Sequence, residues 1–168
     1  DQIFTMKPDG SDLRLVSTGK GRTTCAYFLP GGKRIVYAST HLDGDEPPKP
    51  PDRSAGYVWG LFEYELFACD LDGKNLVRLT TSPGYDAEAT VSPKGDRMVF
   101  TSSRDGDLDL YTMALDGTDV KRLTDTVGYD GGAVWSPDGK QIAWRAQHPA
   151  DETGRADFQA LLGKGMVR

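Results

Sequence analysis

The stretch SPKGDRMVFTSSRDGDLDLYTMALDGTDVKRLT, residues 92–124, decides the fold. Short runs rich in Val, Phe, Tyr and Thr alternate with Pro, Asp and Gly, a pattern typical of strands joined by tight turns. We therefore expect one four-stranded antiparallel meander here. Its predicted strands are Ala87 to Val91, Arg97 to Ser102, Leu110 to Ala114 and Val120 to Thr124.

The same unit recurs along the chain. SPKG at 92–95 returns 44 residues later as SPDG at 136–139, and other blocks keep this register. In the other direction, IVYAS at 35–39 precedes MVFTS at 98–102 by 63 residues, so one repeat contains an insertion. A four-stranded unit repeating about every 40 to 45 residues predicts an all-β fold, a beta-propeller made of four-stranded antiparallel blades.

The register divides the chain into about three blades. A blade face without a neighbour exposes apolar surface, and residues 142–146 form an open edge, so we expect further strands to cover them. The predicted single partial propeller comprises a half blade at 1–19, a blade at 20–81 with an insertion at 40–62, a blade at 82–125, a half blade at 126–146, and a tail with a short helix at 147–168.

The string WSPDGKQIAW at 135–144, together with residues 101–124, resembles the WD-like repeat of the TolB-type propeller, also found in tricorn-like and prolyl-oligopeptidase-like propellers. The resemblance implies a six-bladed ring, completed by a homodimer or by further blades in cis. It also implies a non-catalytic scaffold that binds a protein or peptide in the bacterial cell envelope, in the periplasm. The alternative is the propeller portion of a larger prolyl-oligopeptidase-like or tricorn-like hydrolase.

Composition excludes several classes of function. The 168 residues are 38% hydrophobic and 10% aromatic, which is too apolar for a disordered chain. The net charge of -5 and the lack of a basic cluster argue against nucleic acid as a partner. No apolar run reaches the ~18 residues of a membrane span. The motifs G-x-S-x-G, P-loop and H-E-x-x-H do not occur, so we expect no catalysis.

The GYD segments lead into the innermost strands, which line the axial channel of a propeller. We expect Asp86, Glu88 and Asp130 to surround one channel mouth, with Tyr85 and Tyr129 between the blades or at the rim. Converging carboxylates can hold a divalent cation such as calcium or accept a basic group of a peptide. The alternative is that the aspartates accept hydrogen bonds from loop amides. No other cofactor is expected.

The insertion at 40–62 has a Pro-rich half followed by an aromatic half. It is either a partner-binding loop, with candidates His41, Tyr57, Trp59 and Phe62, or a loop folded back over a blade edge. The insertion and the tail follow connections that share one face of the disc, so both are expected on that face. Function tends to lie on such variable loops.

Both cysteines belong to one blade, Cys25 on its first strand and Cys69 on its third. The second strand separates them, which is too far for a disulfide, so two buried free thiols are expected. The repeat register also predicts a set of core positions: Ile35, Tyr37, Leu66, Val99, Leu110, Tyr111, Leu123, Trp135 and Ile142.

Overall fold

The computed structural model describes residues 1–54 and 56–168, and its strands follow the predicted repeat. In chain order the elements are β1 (Phe4–Thr5), β2 (Arg14–Leu15), β3 (Thr23–Phe28), β4 (Arg34–Ser39), β5 (Trp59–Gly60), β6 (Glu65–Asp70), β7 (Val77–Arg78), β8 (Asp86–Val91), β9 (Arg97–Ser102), β10 (Asp109–Ala114), β11 (Lys121–Arg122), β12 (Tyr129–Trp135), β13 (Ile142–Gln147), α1 (Glu152–Leu162) and β14 (Met166–Val167).

Two sheets are complete four-stranded antiparallel blades. One has the strand order β3-β4-β6-β7 and the other β8-β9-β10-β11, so each is a meander of neighbours in sequence. The strands β1 and β2 pair as the third and fourth strands of a blade, while β12 and β13 pair as a first and second strand. The all-β propeller predicted from the repeat is therefore confirmed.

The blades are held together by apolar side chains packed face to face. The largest buried cluster lies between the two complete blades and contains Val36 and Leu66 from one and Phe100 and Tyr111 from the other. Two smaller clusters join the half blades to these faces. Burial of such side chains contributes roughly 1.5 to 3 kcal/mol each, so blade-to-blade packing dominates the stability of the fold.

A buried polar group fixes the fourth strand of each complete blade. The Thr80 hydroxyl donates to Glu65 at 2.6 Å and accepts from the Leu66 amide at 2.9 Å, while Arg78 pairs with the same carboxylate. Because these groups satisfy the Glu65 carboxylate, its burial does not leave an unpaired charge in the core. The next blade repeats the arrangement with Asp109, Leu110, Arg122 and Thr124.

The first strand of each blade contains a bulge at the same register position. Cys25, Glu88 and Gly132 have φ values of 53°, 61° and 62°, and the strand pairing shifts beside each of them. Left-handed backbone is unfavourable for Cys and Glu, so the packing of the blades must stabilise it. The bulge bends the strand and re-aims its side chains.

The insertion and the tail meet on one side of the molecule, as expected. Their strands β5 and β14 pair antiparallel, with Val167 opposite Trp59. The helix α1 occurs within the stretch for which the sequence predicts one, and the Asp151 carboxylate caps it by accepting from the Gly154 amide at 2.8 Å. Phe158 packs on a buried cluster containing Val167, so the helix supports the strand pair. Within the described ranges, no helix has the length and apolarity that crossing a membrane requires.

Four residues expected to be buried are not. Leu123 is 47% exposed although its counterpart Leu79 is 9% exposed. The difference arises because strands β12 and β13 provide only half of the blade that would cover it. For the same reason Trp135 and Ile142 are half-buried rather than buried. Cys25 is exposed, because the bulge places it at the axis rather than between blades. The other predicted core residues are buried.

We predict that Leu110→Ala lowers the free energy of unfolding by about 2 to 5 kcal/mol, because Leu110 is 1% exposed between two blades. Leu123→Ala is the matched control, since it removes the same atoms from a position that solvent already reaches, and it should cost less than about 1 kcal/mol. Urea denaturation measures both. Equal losses would show that the two positions are covered alike.

Candidate functional site

A cavity of about 560 Å³ lies where the first strands of three blades meet, and we call it the axial pocket. Strand β3 contributes residues 23–25, β8 contributes Glu88, and β12 contributes Tyr129 and Gly132. The insertion and the tail add Trp59 and Val167, so their strand pair closes one side of the cavity. The pocket therefore combines the rigid centre of the repeat with its two irregular segments.

The Glu88 carboxylate ties two blades together at the base of the axial pocket. Its Oε2 accepts hydrogen bonds from the Thr101 hydroxyl at 2.7 Å and from the Gly132 amide at 2.8 Å. The Tyr129 hydroxyl also donates to it, at 3.4 Å. Because these donors belong to β9 and β12, this carboxylate fixes the relative position of neighbouring inner strands.

Aromatic side chains form the walls. Tyr64 and Tyr85 meet edge to face with ring centroids 5.7 Å apart, and Phe62 and Trp59 of the insertion continue the same wall. Burial, with a smaller contribution from the Glu88 charge, raises the pKa of Tyr85 well above its usual value. These phenols therefore stay neutral, and the wall presents apolar rings with hydroxyl donors.

Three arginines complete the lining of the pocket. Arg22 lies over the Phe62 ring, with 5.6 Å between the guanidinium carbon and the ring centroid. Arg145 lies over the Tyr129 ring at 4.8 Å. Arg53 also lines the cavity. Guanidinium groups stacked in this way keep their N–H donors in one plane, which suits carboxylate recognition.

A thiol also opens into the pocket. Cys25 sits at the bulge of β3, and its Sγ lies 3.2 Å from the Thr24 hydroxyl. Cys25 is exposed to the cavity, but the surrounding pocket atoms partly desolvate its sulfur, and this desolvation raises the pKa of the thiol above its usual value. Catalytic cysteines need the opposite shift, so this thiol is accessible but weakly nucleophilic at neutral pH.

Two of the carboxylates expected at the channel mouth point into their own blades. Asp86 is buried and accepts from the Arg104 guanidinium at 3.1 Å. Burial raises the pKa of Asp86, although hydrogen bonds from Ser102 and Arg104 oppose this shift. Asp130 is also buried and accepts from Trp144 Nε1 at 2.7 Å. Side chains, not loop amides, therefore satisfy these two aspartates.

The geometry does not support a cation site at these positions. Among residues 1–54 and 56–168, no three His, Cys, Asp or Glu side chains come together as metal ligands would. Of the three proposed ligands, Glu88 alone lines the axial pocket. Asp86 and Asp130 are engaged with separate partners, Arg104 and Trp144. On β8 the bulge at Glu88 turns that side chain, two positions after Asp86, toward the axis instead.

The expected partner loop is divided in the structure. Trp59 and Phe62 line the axial pocket, and Tyr57 contacts Trp59 edge to face at 5.4 Å. His41 lies elsewhere, with its Nδ1 2.8 Å from the Ser39 hydroxyl and its ring packed on Phe67. Ala55 of the insertion is outside the described residues.

Sequence reasoning did not identify the pocket arginines or Cys25 as part of the site. Cys25 occupies the bulge position that aligns with Glu88 in the repeat register, and Arg22 lies shortly before it in the sequence. This alignment could have placed Cys25 at the axis. Arg53 and Arg145 had no such signal, because the place of Arg53 depends on how the insertion folds and that of Arg145 on the free face of β13, the second strand of a half blade.

Stacked four-stranded blades whose first strands converge on a central pocket define the class of the β-propellers. Within that class, the family model described as the TolB beta propeller domain matches residues 61–160, more than half of the chain. The chain belongs to this family.

The chain is also similar to several solved structures. A putative TolB from Agrobacterium tumefaciens superposes with a TM-score of 0.51 at 18% identity, covering 90% of this chain and 71% of that chain. TolB from Acinetobacter baumannii has a TM-score of 0.49 at 24% identity, covering 89% of this chain and 44% of that chain. The tricorn protease has a TM-score of 0.41 at 13% identity, covering 89% and 20%. This chain therefore spans less than half of the Acinetobacter protein.

We predict that only one of the two thiols reacts in the folded protein. Cys25 opens into the pocket, whereas Cys69 is buried, and burial raises the pKa of Cys69 to about 11. Iodoacetamide followed by mass spectrometry should therefore modify Cys25 alone, faster as the pH rises because the thiolate reacts. Cys25→Ser is the control and should abolish native labelling. Labelling of Cys69 at a similar rate would contradict the packing described.

Proposed function

We propose that this domain is a non-catalytic TolB-like propeller that binds a protein or peptide segment in its axial pocket. One observation carries the proposal: the rigid inner strands and the two irregular segments together enclose a cavity of about 560 Å³. That volume lies within the roughly 300 to 1,000 Å³ of ligand pockets in proteins.

The chemistry of the walls suits a peptide. Trp59 is 51% exposed and leads into the pocket, where Phe62 and Tyr85 offer further aromatic surface. Tyr, Trp and Arg are the residues that most often dominate binding energy at protein interfaces. A short segment with one apolar side chain would desolvate these rings while its backbone remained hydrogen-bonded at the rim.

The absence of catalysis is also part of the proposal. The raised pKa of Cys25 keeps the thiol in the pocket protonated, which is unsuitable for a nucleophile at neutral pH.

By family resemblance, we place the protein in the bacterial cell envelope, in the periplasm. Fractionation of cells that express the protein from its natural gene tests this location, and recovery in the cytosolic fraction alone would contradict it.

A second proposal concerns assembly. Strand β13 pairs only with β12 among the described strands, whereas its counterparts β4 and β9 each pair on both sides. We propose that a third strand covers its free edge, either β1 of a second copy, giving a homodimeric six-bladed ring, or a strand from further blades in cis. The mass of the 168-residue chain in solution tests this proposal.

We predict that Trp59→Ala weakens peptide binding about tenfold or more, because Trp59 offers the largest aromatic surface at the pocket. Phe28→Ala is the matched control, since Phe28 is similarly exposed, at 53%, but lies at the far end of β3 outside the pocket. The probe is a phage-displayed library of random dodecapeptides selected on the intact chain, with the enriched peptides synthesised and titrated by fluorescence anisotropy.

Enriched peptides that bind the wild type and the Phe28→Ala variant equally, but not the Trp59→Ala variant, are the expected result. Circular dichroism must show that both variants remain folded. Failure to enrich any peptide, or equal binding by the Trp59→Ala variant, would contradict binding in the axial pocket.

A further inference from the structure

The lining of the axial pocket contains more positively than negatively charged side chains, and both negatively charged ones already have partners. Its lining contains the guanidinium groups of Arg22, Arg53 and Arg145 but only the carboxylates of Asp1 and Glu88. The Asp1 carboxylate already accepts from Arg22 Nε at 3.2 Å. The Glu88 Oε2 is occupied by the contacts that join two blades. Two cations therefore remain for a ligand.

Neither Arg53 nor Arg145 forms an ion pair with any residue in the part of the chain that the structure describes. Each is instead held by an aromatic ring: Arg53 lies 4.7 Å from the Tyr57 centroid, and Arg145 lies 4.8 Å from the Tyr129 centroid. Arg53 Nε also donates to the Val58 carbonyl at 3.2 Å. The stacking orients both groups before a ligand arrives, which lowers the entropic cost of binding.

We propose that the axial pocket binds an acidic peptide segment, whose carboxylate pairs with Arg53 and Arg145 while a neighbouring apolar side chain contacts the aromatic wall. This inference rests on the proposed function and adds the charge of the ligand. The sequence suggested a ligand of the opposite charge, a cation or a basic group of a peptide, but Asp86 and Asp130 are turned away from the pocket.

A singly charged carboxylate fits this pocket better than a phosphate group does. Glu88 remains at the base of the pocket, and its negative charge repels a dianion more strongly than a monoanion. The planar guanidinium groups match the two oxygens of a carboxylate, which can come from an Asp or Glu side chain or from the C-terminus of the partner.

The test uses dodecapeptides selected on the intact chain from a phage-displayed library. Each selected peptide is synthesised with a free or amidated C-terminus and with each acidic residue changed to its amide, and these forms separate the two sources of carboxylate. Binding is measured by fluorescence anisotropy and by protection of Cys25 from iodoacetamide, which reports occupancy of the pocket itself.

We expect removal of one carboxylate to weaken binding about tenfold, and Arg145→Ala to cause a similar loss. When both Arg53 and Arg145 are changed to Ala, the acidic peptide and its amide form should bind almost equally, because both contacts to the carboxylate have then been removed. Arg155→Ala on α1 is the matched control, since it removes the same charge outside the pocket and should leave binding within about twofold.

Two other results would contradict the acidic ligand, and they differ in whether peptide binding itself survives. Peptides that protect Cys25 and depend on Trp59, but bind equally as acid and amide or through basic residues, contradict the acidic ligand and leave peptide binding intact. If no selected peptide protects Cys25, the proposal of peptide binding in the pocket and the proposal of an acidic ligand are both contradicted.

Discussion

The packing of one blade face against the next is the interaction on which the rest of this structure depends. Residues in the same repeat position differ in exposure according to their neighbour: Leu79 is covered by a complete blade, and Leu123 by half of one. The strands β4 and β9 are almost entirely buried, while the equivalent strand β13 is almost entirely exposed. Each blade therefore obtains its burial from the blade beside it, as expected for a stacked repeat.

The same constraint produces the pocket. Close packing of the blades stabilises left-handed backbone at Cys25 and Glu88, and the resulting bulges turn these side chains toward the axis. The regular repeat supplies rigid inner strands, while the insertion adds Arg53 and Trp59 to the pocket and the tail adds Val167. A scaffold of this kind can hold arginines and aromatic rings in fixed positions without using the repeat motif itself.

Much of the fold could be predicted from the sequence, because turn residues and apolar runs recur in one register. The strand Arg97–Ser102 and the position of the helix near residue 155 follow directly from local patterns. The site was less predictable, since it depends on the bulge, which has no local sequence signal: Cys, Glu and Gly occupy the same position. The sequence shows the carboxylates near the channel but not their partners: Asp86 is paired with Arg104, which lies just beyond the end of β9 and reaches back to it.

Light scattering on the purified 168-residue chain over a range of concentrations tests most directly whether blade faces require a neighbour. If they do, the exposed faces at β13 and at β1 will associate, and the mass will approach or exceed twice 18.3 kDa as the concentration rises. A folded chain that remains monomeric at every concentration, with cooperative unfolding and no aggregation, would contradict the account, because it would show that an uncovered half blade is stable in water.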